Sequence, residues 1–232
     1  MRDVIKSNKE LIYKIAALID HTLVKANATY KDIIRICKEA KKYKFASVCV
    51  NPIYVSLCKK ILRNTNVKVC SVVGFPLGAT TTAIKVDEAK EAVKNGADEI
   101  DMVINIGALK SGDYKLVLDD IKSVREITRG KILKVIIETA YLTKKEKVKV
   151  CKLAEQAGVD FVKTSTGFGP SGATAEDVRL IKSVVGARIG VKAAGGIRTL
   201  EDVIKMLNAG ATRIGTSASV SIVKDKQGKT QY

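Results

Sequence analysis

The strongest constraint on this chain is a unit that recurs about eight times, each repeat spanning about 30 residues: a short apolar, β-branched run, a polar or glycine-bearing turn, and a helix-patterned stretch. The runs fall at 17–22, 45–50, 67–76, 99–105, 133–139, 161–167, 188–196 and 212–217. Helix starts follow most of them. Asn27-Ala28-Thr29, Asn51-Pro52, Asp113, Thr143-Lys144-Lys145-Glu146, Thr174 and Thr199 are N-terminal signals, and Thr143 with Glu146 has the spacing of a capping box. Before the first repeat, Ser7-Asn8-Lys9-Glu10 followed by Leu11, Ile12, Ile15 and Ala16 predicts a short helix.

Eight alternating strands and helices predict an α/β fold of the (β/α)8 barrel type, with one domain over 1–232 and a polar, mobile tail over 224–232. The competing architecture is an open, doubly wound sheet. It uses fewer units and usually opens with a glycine-rich turn, whereas the first turn here, Asp20-His21-Thr22-Leu23, has no glycine.

In a barrel, functional groups gather at the carboxyl ends of the strands. Three ionisable residues stand out there. Lys163 lies inside Phe161-Val162-Lys163-Thr164-Ser165-Thr166-Gly167, where an ammonium group is out of keeping with its neighbours. Desolvation is expected to push its pKa down and leave an amine that attacks carbonyls. Lys192, on the next strand, would add a second cation and lower it further, and Asp101 shares a strand face with Glu99 and Val103, placing it to move protons. A buried ion-pair cluster that only fixes packing is the alternative reading of the same three residues. Gly195-Gly196-Ile197 and Gly215-Thr216-Ser217 follow strands seven and eight, where backbone N–H groups can approach a phosphate.

Composition narrows the chemistry. A single histidine, His21, cannot build a multi-histidine metal site, and no G-x-S-x-G accompanies it, so His21 is expected to be a hydrogen-bonded structural or substrate-side residue. Cys37, Cys49, Cys58, Cys70 and Cys151 are odd in number and scattered, which predicts buried, reduced thiols. Neither a signal-peptide core nor a membrane-length apolar stretch is present, so the expected location is cytoplasmic, with no membrane partner. The net charge of +17 would attract a phosphorylated substrate. With aromatics at 5% and basic residues spread along the chain, no specific nucleic-acid reader is expected.

Lys163-Thr164-Ser165-Thr166-Gly167-Phe168, Val191-Lys192-Ala193-Ala194-Gly195-Gly196-Ile197-Arg198 and Glu99-Ile100-Asp101-Met102-Val103 resemble segments of the deoxyribose-phosphate aldolase family of class I aldolases. Asp20-His21-Thr22-Leu23 and Val48-Cys49-Val50 fit the same pattern, and the likeness runs from about Leu18 to Ser217. Some members carry a lysine where this chain has Phe168.

The resemblance implies that Lys163 forms an imine while Asp101 and Lys192 handle protons. It also implies substrate or phosphate contacts from Asp20, Cys49, Thr164, Gly167, Gly195, Gly196, Gly215 and Ser217, and a proton-relay role for Tyr232. The implied reaction is reversible cleavage of 2-deoxy-D-ribose 5-phosphate to D-glyceraldehyde 3-phosphate and acetaldehyde, in a homodimer that uses no metal or organic cofactor. Two other readings stay open: a Schiff-base aldolase with a ketone donor, and a non-catalytic barrel that binds polyanions.

Overall fold

The computed structural model describes residues 10–224. Residues 10–16 are helical, as the N-terminal pattern predicts. Tyr232 and all but the first residue of the expected tail lie outside the described residues.

The chain then runs β1 (Ile19–Leu23), α1 (Tyr30–Tyr43), β2 (Ser47–Val50), α2 (Val55–Ile61), β3 (Lys68–Val73), α3 (Thr82–Lys94), β4 (Glu99–Val103), α4 (Ile106–Lys110), α5 (Tyr114–Ile127), β5 (Ile132–Ile136), α6 (Lys144–Gln156), β6 (Phe161–Lys163), α7 (Ala175–Val185), β7 (Gly190–Ala194), α8 (Leu200–Asn208), β8 (Arg213–Thr216) and α9 (Ser219–Val223). The strands pair in sequence order, all parallel, and β8 closes onto β1. This is a (β/α)8 barrel. No helix among the described residues is long and apolar enough to cross a membrane.

Capping explains where the helices begin. Thr29, Thr143 and Thr199 each form a capping box with the acidic residue three positions on. Thr81 and Thr174 cap α3 and α7 with their side chains. Each such cap contributes about 1 kcal/mol. The five-residue α4, which the periodicity did not suggest, starts where the Asn105 side chain accepts from the Ala108 N–H at 3.0 Å.

The two faces of the strands differ in chemistry. Ile100 and Met102 on β4, Leu133 and Val135 on β5, Val162 on β6, and Val191 and Ala193 on β7 point to the helices and belong to the main apolar core. Full burial of one such aliphatic chain contributes about 1.5–3 kcal/mol. The alternate positions, Glu99, Asp101, Lys134, Lys163 and Lys192, are buried and charged. Period-2 geometry therefore sends grease outward and charge into the barrel.

Several strands are shorter than their apolar runs. Strand β6 ends at Lys163, and 164–167 leave the sheet, because the Thr164 hydroxyl donates to the Ala194 carbonyl and accepts from its N–H, both at 3.2 Å. Gly215 was expected in the loop after β8. It lies within β8, in register with Asp20 and Ala194.

Candidate active site

Lys163 and Lys192 are direct partners across β6 and β7. Adjacent strands in register carry both side chains into the interior, where they meet the carboxylate rising from β4. Lys163 Nζ donates to Asp101 Oδ2 at 2.8 Å, and Lys192 Nζ donates to the same oxygen at 2.7 Å. The three residues singled out in the sequence are thus one hydrogen-bonded group.

The group is larger than the sequence suggested. Lys134, wholly buried on β5, donates to Asp101 Oδ1 at 2.8 Å and pairs with Glu99 Oε2 at 2.5 Å. Lys192 also pairs with Asp20 Oδ2 at 2.6 Å. Arg213 Nη1 reaches Asp20 Oδ1 at 2.7 Å and Glu99 Oε2 at 3.1 Å, and the Ser47 hydroxyl donates to Asp20 Oδ1 at 2.7 Å. Four cationic side chains (Lys134, Lys163, Lys192, Arg213) face three carboxylates (Asp20, Glu99, Asp101). With all seven ionised the cluster carries one positive charge in excess, and it can relieve this by giving up a proton.

Electrostatics fix the states of the supporting members. Burial alone would raise the Asp101 carboxyl, but Lys134, Lys163 and Lys192 overcome it and hold Asp101 well below the usual carboxylate range. Asp20 is likewise lowered, with burial opposed by Lys192, Lys134 and Arg213. Burial would lower Lys192 and Lys134, yet Asp101 and its fellow carboxylates raise both above the ordinary lysine value. Lys192 is therefore a cation at neutral pH, able to donate a proton or stabilise developing negative charge.

Cys49 and Cys70 sit directly across β2 and β3 and are buried inside the barrel. Cys70 Sγ lies 3.1 Å from Asp101 Oδ1 and 3.4 Å from Lys134 Nζ, and burial leads the factors that raise its thiol well above the ordinary value. Cys49 is lowered, chiefly by its hydrogen bond with Cys70. Cys49, Cys70 and Asp101 bring one ligand atom each within 4.8 Å of one another. Three ammonium groups on the same carboxylate make this a poor place for a divalent cation.

The remaining expected residues divide in two. The Asp20 carboxylate is bonded to Lys192, Arg213 and Ser47, and the Thr164 hydroxyl is bonded to the Ala194 backbone. Gly167, Gly195 and Gly196 form a different feature, with φ of +89°, +85° and +77°. Positive φ at these three positions is backbone that only glycine adopts without strain. A Cβ on Gly195 would stand 2.9 Å from the Cα of Gly172 and 3.6 Å from that of Gly167, so the loops after β6 and β7 touch there. Thr216 joins the next loop on, its hydroxyl donating to the Ile197 carbonyl at 2.7 Å, and half-buried Ser217 follows it. His21 is held between Glu39 Oε2 at 2.7 Å and Ser219 Oγ at 2.9 Å, a structural arrangement.

Lys134 and Arg213 are the members that sequence reasoning passed over, and Glu99 entered it only as sharing a strand face with Asp101. Lys134 carried the same signal as Lys163, a lysine in the middle of the apolar run Leu133-Lys134-Val135.

A closed α/β barrel with a lysine-bearing interior below the carboxyl ends of its strands defines a lyase of the class I aldolase type. Residues 14–225 match the model of the DeoC/LacD family aldolase, and the chain belongs to that family. Among curated relatives, a deoxyribose-phosphate aldolase of Carboxydothermus hydrogenoformans is 60% identical over 215 residues, covering 91% of this chain and 94% of the relative. One from Streptococcus equi subsp. zooepidemicus is 59% identical, covering 92% of this chain and 97% of the relative. Among solved structures, the tetrameric deoxyribose phosphate aldolase of Aeropyrum pernix superposes with a TM-score of 0.87 at 31% identity, covering 96% of each chain.

Proposed function

We propose that the protein is a deoxyribose-phosphate aldolase that cleaves 2-deoxy-D-ribose 5-phosphate reversibly to D-glyceraldehyde 3-phosphate and acetaldehyde, with Lys163 as the imine-forming residue. The observation that carries this reading is the shared bond of Lys163 and Lys192 to Asp101 Oδ2. It sets an amine, a carboxylate and a second cation around one point in a buried site.

Lys163 attacks the aldehyde carbon of the open-chain sugar, and the carbinolamine loses water to give an imine. The C3 hydroxyl gives its proton to Asp101, directly or through a water, and the C2–C3 bond breaks. Its electron pair moves into the imine, forming an enamine and releasing glyceraldehyde 3-phosphate. Proton return to the enamine carbon from the Lys192–Asp101 pair restores an imine, and water hydrolyses it to acetaldehyde and free Lys163. Gly167, Gly195, Gly196 and Ser217 hold the phosphate. Lys134 and Asp20 keep Asp101 and Lys192 in place.

We assign the protein to the cytoplasm, a reading supported by five buried free thiols, and to a homodimer, for which exposed Ile53 and Leu77 offer apolar surface. Sedimentation at varied protein concentration tests the dimer. For the reaction, borohydride trapping in the presence of acetaldehyde, followed by peptide mass mapping, is decisive. A two-carbon adduct on Lys163 is the expected result. A folded sample that gives no adduct overturns the assignment.

A further inference from the structure

Glu138 lies just past β5, outside the lysine cluster, and nothing in the reaction above uses it. Its backbone has φ +50°, a left-handed conformation that a non-glycine residue adopts only where its surroundings hold it there. Its side chain is 2% exposed. One carboxylate oxygen, Oε2, accepts twice from Thr166, from the N–H at 3.1 Å and from the hydroxyl. Thr166 Oγ1 in turn accepts from the Phe168 N–H at 3.0 Å. A Cβ on Gly169 would stand 3.0 Å from both the carboxyl carbon and Oε1 of Glu138, so the loop closes directly over the carboxylate. The other oxygen, Oε1, is buried with no hydrogen-bond partner among the described residues.

A contact kept only for packing would not need a carboxylate here. A buried, half-satisfied anion is a costly substitute for an amide or hydroxyl of matched shape. What the carboxylate adds is stronger, charge-assisted acceptance of two bonds at one loop residue. That residue directly precedes Gly167, which meets Gly195 where the loops after β6 and β7 touch.

We propose that Glu138 is a positioning residue for the phosphate end of the substrate: it clamps Thr166, fixes the 166–169 loop, and so sets how the Gly167–Gly195 cradle receives the anion. It touches neither the reacting carbons nor Lys163. The inference rests on the aldolase reading given above.

The test separates phosphate recognition from lysine chemistry. Deuterium exchange into the methyl group of acetaldehyde needs the imine but no phosphate, whereas cleavage of 2-deoxyribose 5-phosphate needs both. In Glu138→Ala, KM for the phosphorylated sugar is expected to rise about 10-fold or more while the exchange rate stays within about 2-fold of wild type. The ratio of kcat/KM for 2-deoxyribose 5-phosphate to that for unphosphorylated 2-deoxyribose falls by the same factor. Thr166→Val, which removes the partner hydroxyl at constant shape, shifts the ratio the same way, and Glu138→Gln, which keeps an acceptor oxygen but loses the charge, restores only part of it. An unchanged ratio in both Glu138→Ala and Thr166→Val, or equal loss of exchange and cleavage with KM unaltered in both, overturns the proposal. Wild-type protein that neither exchanges nor cleaves overturns the aldolase reading itself, a different outcome from either.

Discussion

Lys192 and Asp20 form a fully buried ion pair, Nζ to Oδ2 at 2.6 Å, between strands that are not neighbours in the barrel. Lys192 is thereby tied to one carboxylate below and shares Asp101 with Lys163. Its charge is held by two anions at once, so Lys192 is a fixed cation beside Lys163. Sequence reasoning had given Lys192 both parts, a second cation beside Lys163 and a partner of Asp101 in moving protons; the counter-ion Asp20 is what the structure adds.

The excess positive charge of the cluster predicts an asymmetry between mutants. Lys163→Ala leaves three cations against three carboxylates, with Asp101 still bonded to Lys192 and Lys134. Turnover should vanish while stability drops by only about 1 kcal/mol, the scale of one lost hydrogen bond. Asp20→Asn leaves four cations against two carboxylates and should cost about 3–5 kcal/mol, the range for breaking a buried pair. Denaturant melts of both variants beside an activity assay decide it; a more stable Asp20→Asn than Lys163→Ala would refute the charge argument.

The fixed states of the cluster also predict a pH profile of stability. Asp101 and Asp20 are lowered in the folded protein, so their contribution is present above the unfolded carboxylate value of about 3.9 and is lost as pH falls toward the folded values. Lys134 and Lys192 are raised, so theirs is complete below the unfolded lysine value of about 10.4 and is lost as pH rises through the folded values. These four groups together give a plateau from about pH 5 to about pH 9, with decline on both sides. Thermal melts across this range in wild type and Asp20→Asn should differ most at neutral pH and converge in acid. A gap that persists unchanged at pH 2 would contradict the assignment.

A second buried ion pair lies outside the barrel. Lys85 of α3 meets Asp120 of α5 at 2.6 Å, both nearly inaccessible, and Asp120 Oδ1 has no partner among the described residues. Lys85→Met strands the carboxylate and should cost about 3–5 kcal/mol, whereas the double variant Lys85→Met with Asp120→Leu should recover most of that loss. Activity of the folded double variant should match wild type, because neither residue belongs to the lysine cluster. A double variant no more stable than Lys85→Met would show that packing, not charge, holds the two helices.

How much of this was legible in the chain depends on what kind of signal each feature leaves. Buried parallel strands leave apolar runs and threonine caps leave spaced hydroxyl–acid pairs, so the eightfold order and the starts at Thr29, Thr143, Thr174 and Thr199 could be read directly. Strand ends could not, because Thr164–Thr166 is as β-branched and hydroxyl-bearing as a strand and leaves the sheet only through its bonds to Ala194 and Glu138. Lys163, Lys192 and Asp101 were visible as charges inside apolar runs. Lys134 had the same mark and went unremarked among 41 basic residues, since a sequence shows the charge and not the partner it meets across the barrel. Glu138 left no mark at all: its importance lies in a backbone angle and a contact 28 positions away.

Gly215 offers the sharpest separation between a reading from resemblance and one from geometry. As a phosphate contact, its replacement would weaken substrate binding. Its position in β8 also keeps space clear for Lys192, since a Cβ there would stand 2.9 Å from Lys192 Cε, closer than real Cβ atoms pack, and a tight 3.0 Å from the Ala194 Cβ. Neighbouring Ala194 cannot move without its strand, so Lys192 is the group that must yield, and it carries the bonds of 2.6 and 2.7 Å to Asp20 and Asp101. Gly215→Ala is therefore expected to lower kcat and acetaldehyde exchange together by about 10-fold or more, with KM for the phosphorylated sugar little changed and an overpacking cost of about 1–3 kcal/mol. A rise in KM with exchange intact would instead place Gly215 at the phosphate, because only a displaced Lys192 touches the step in which the enamine carbon takes up its proton.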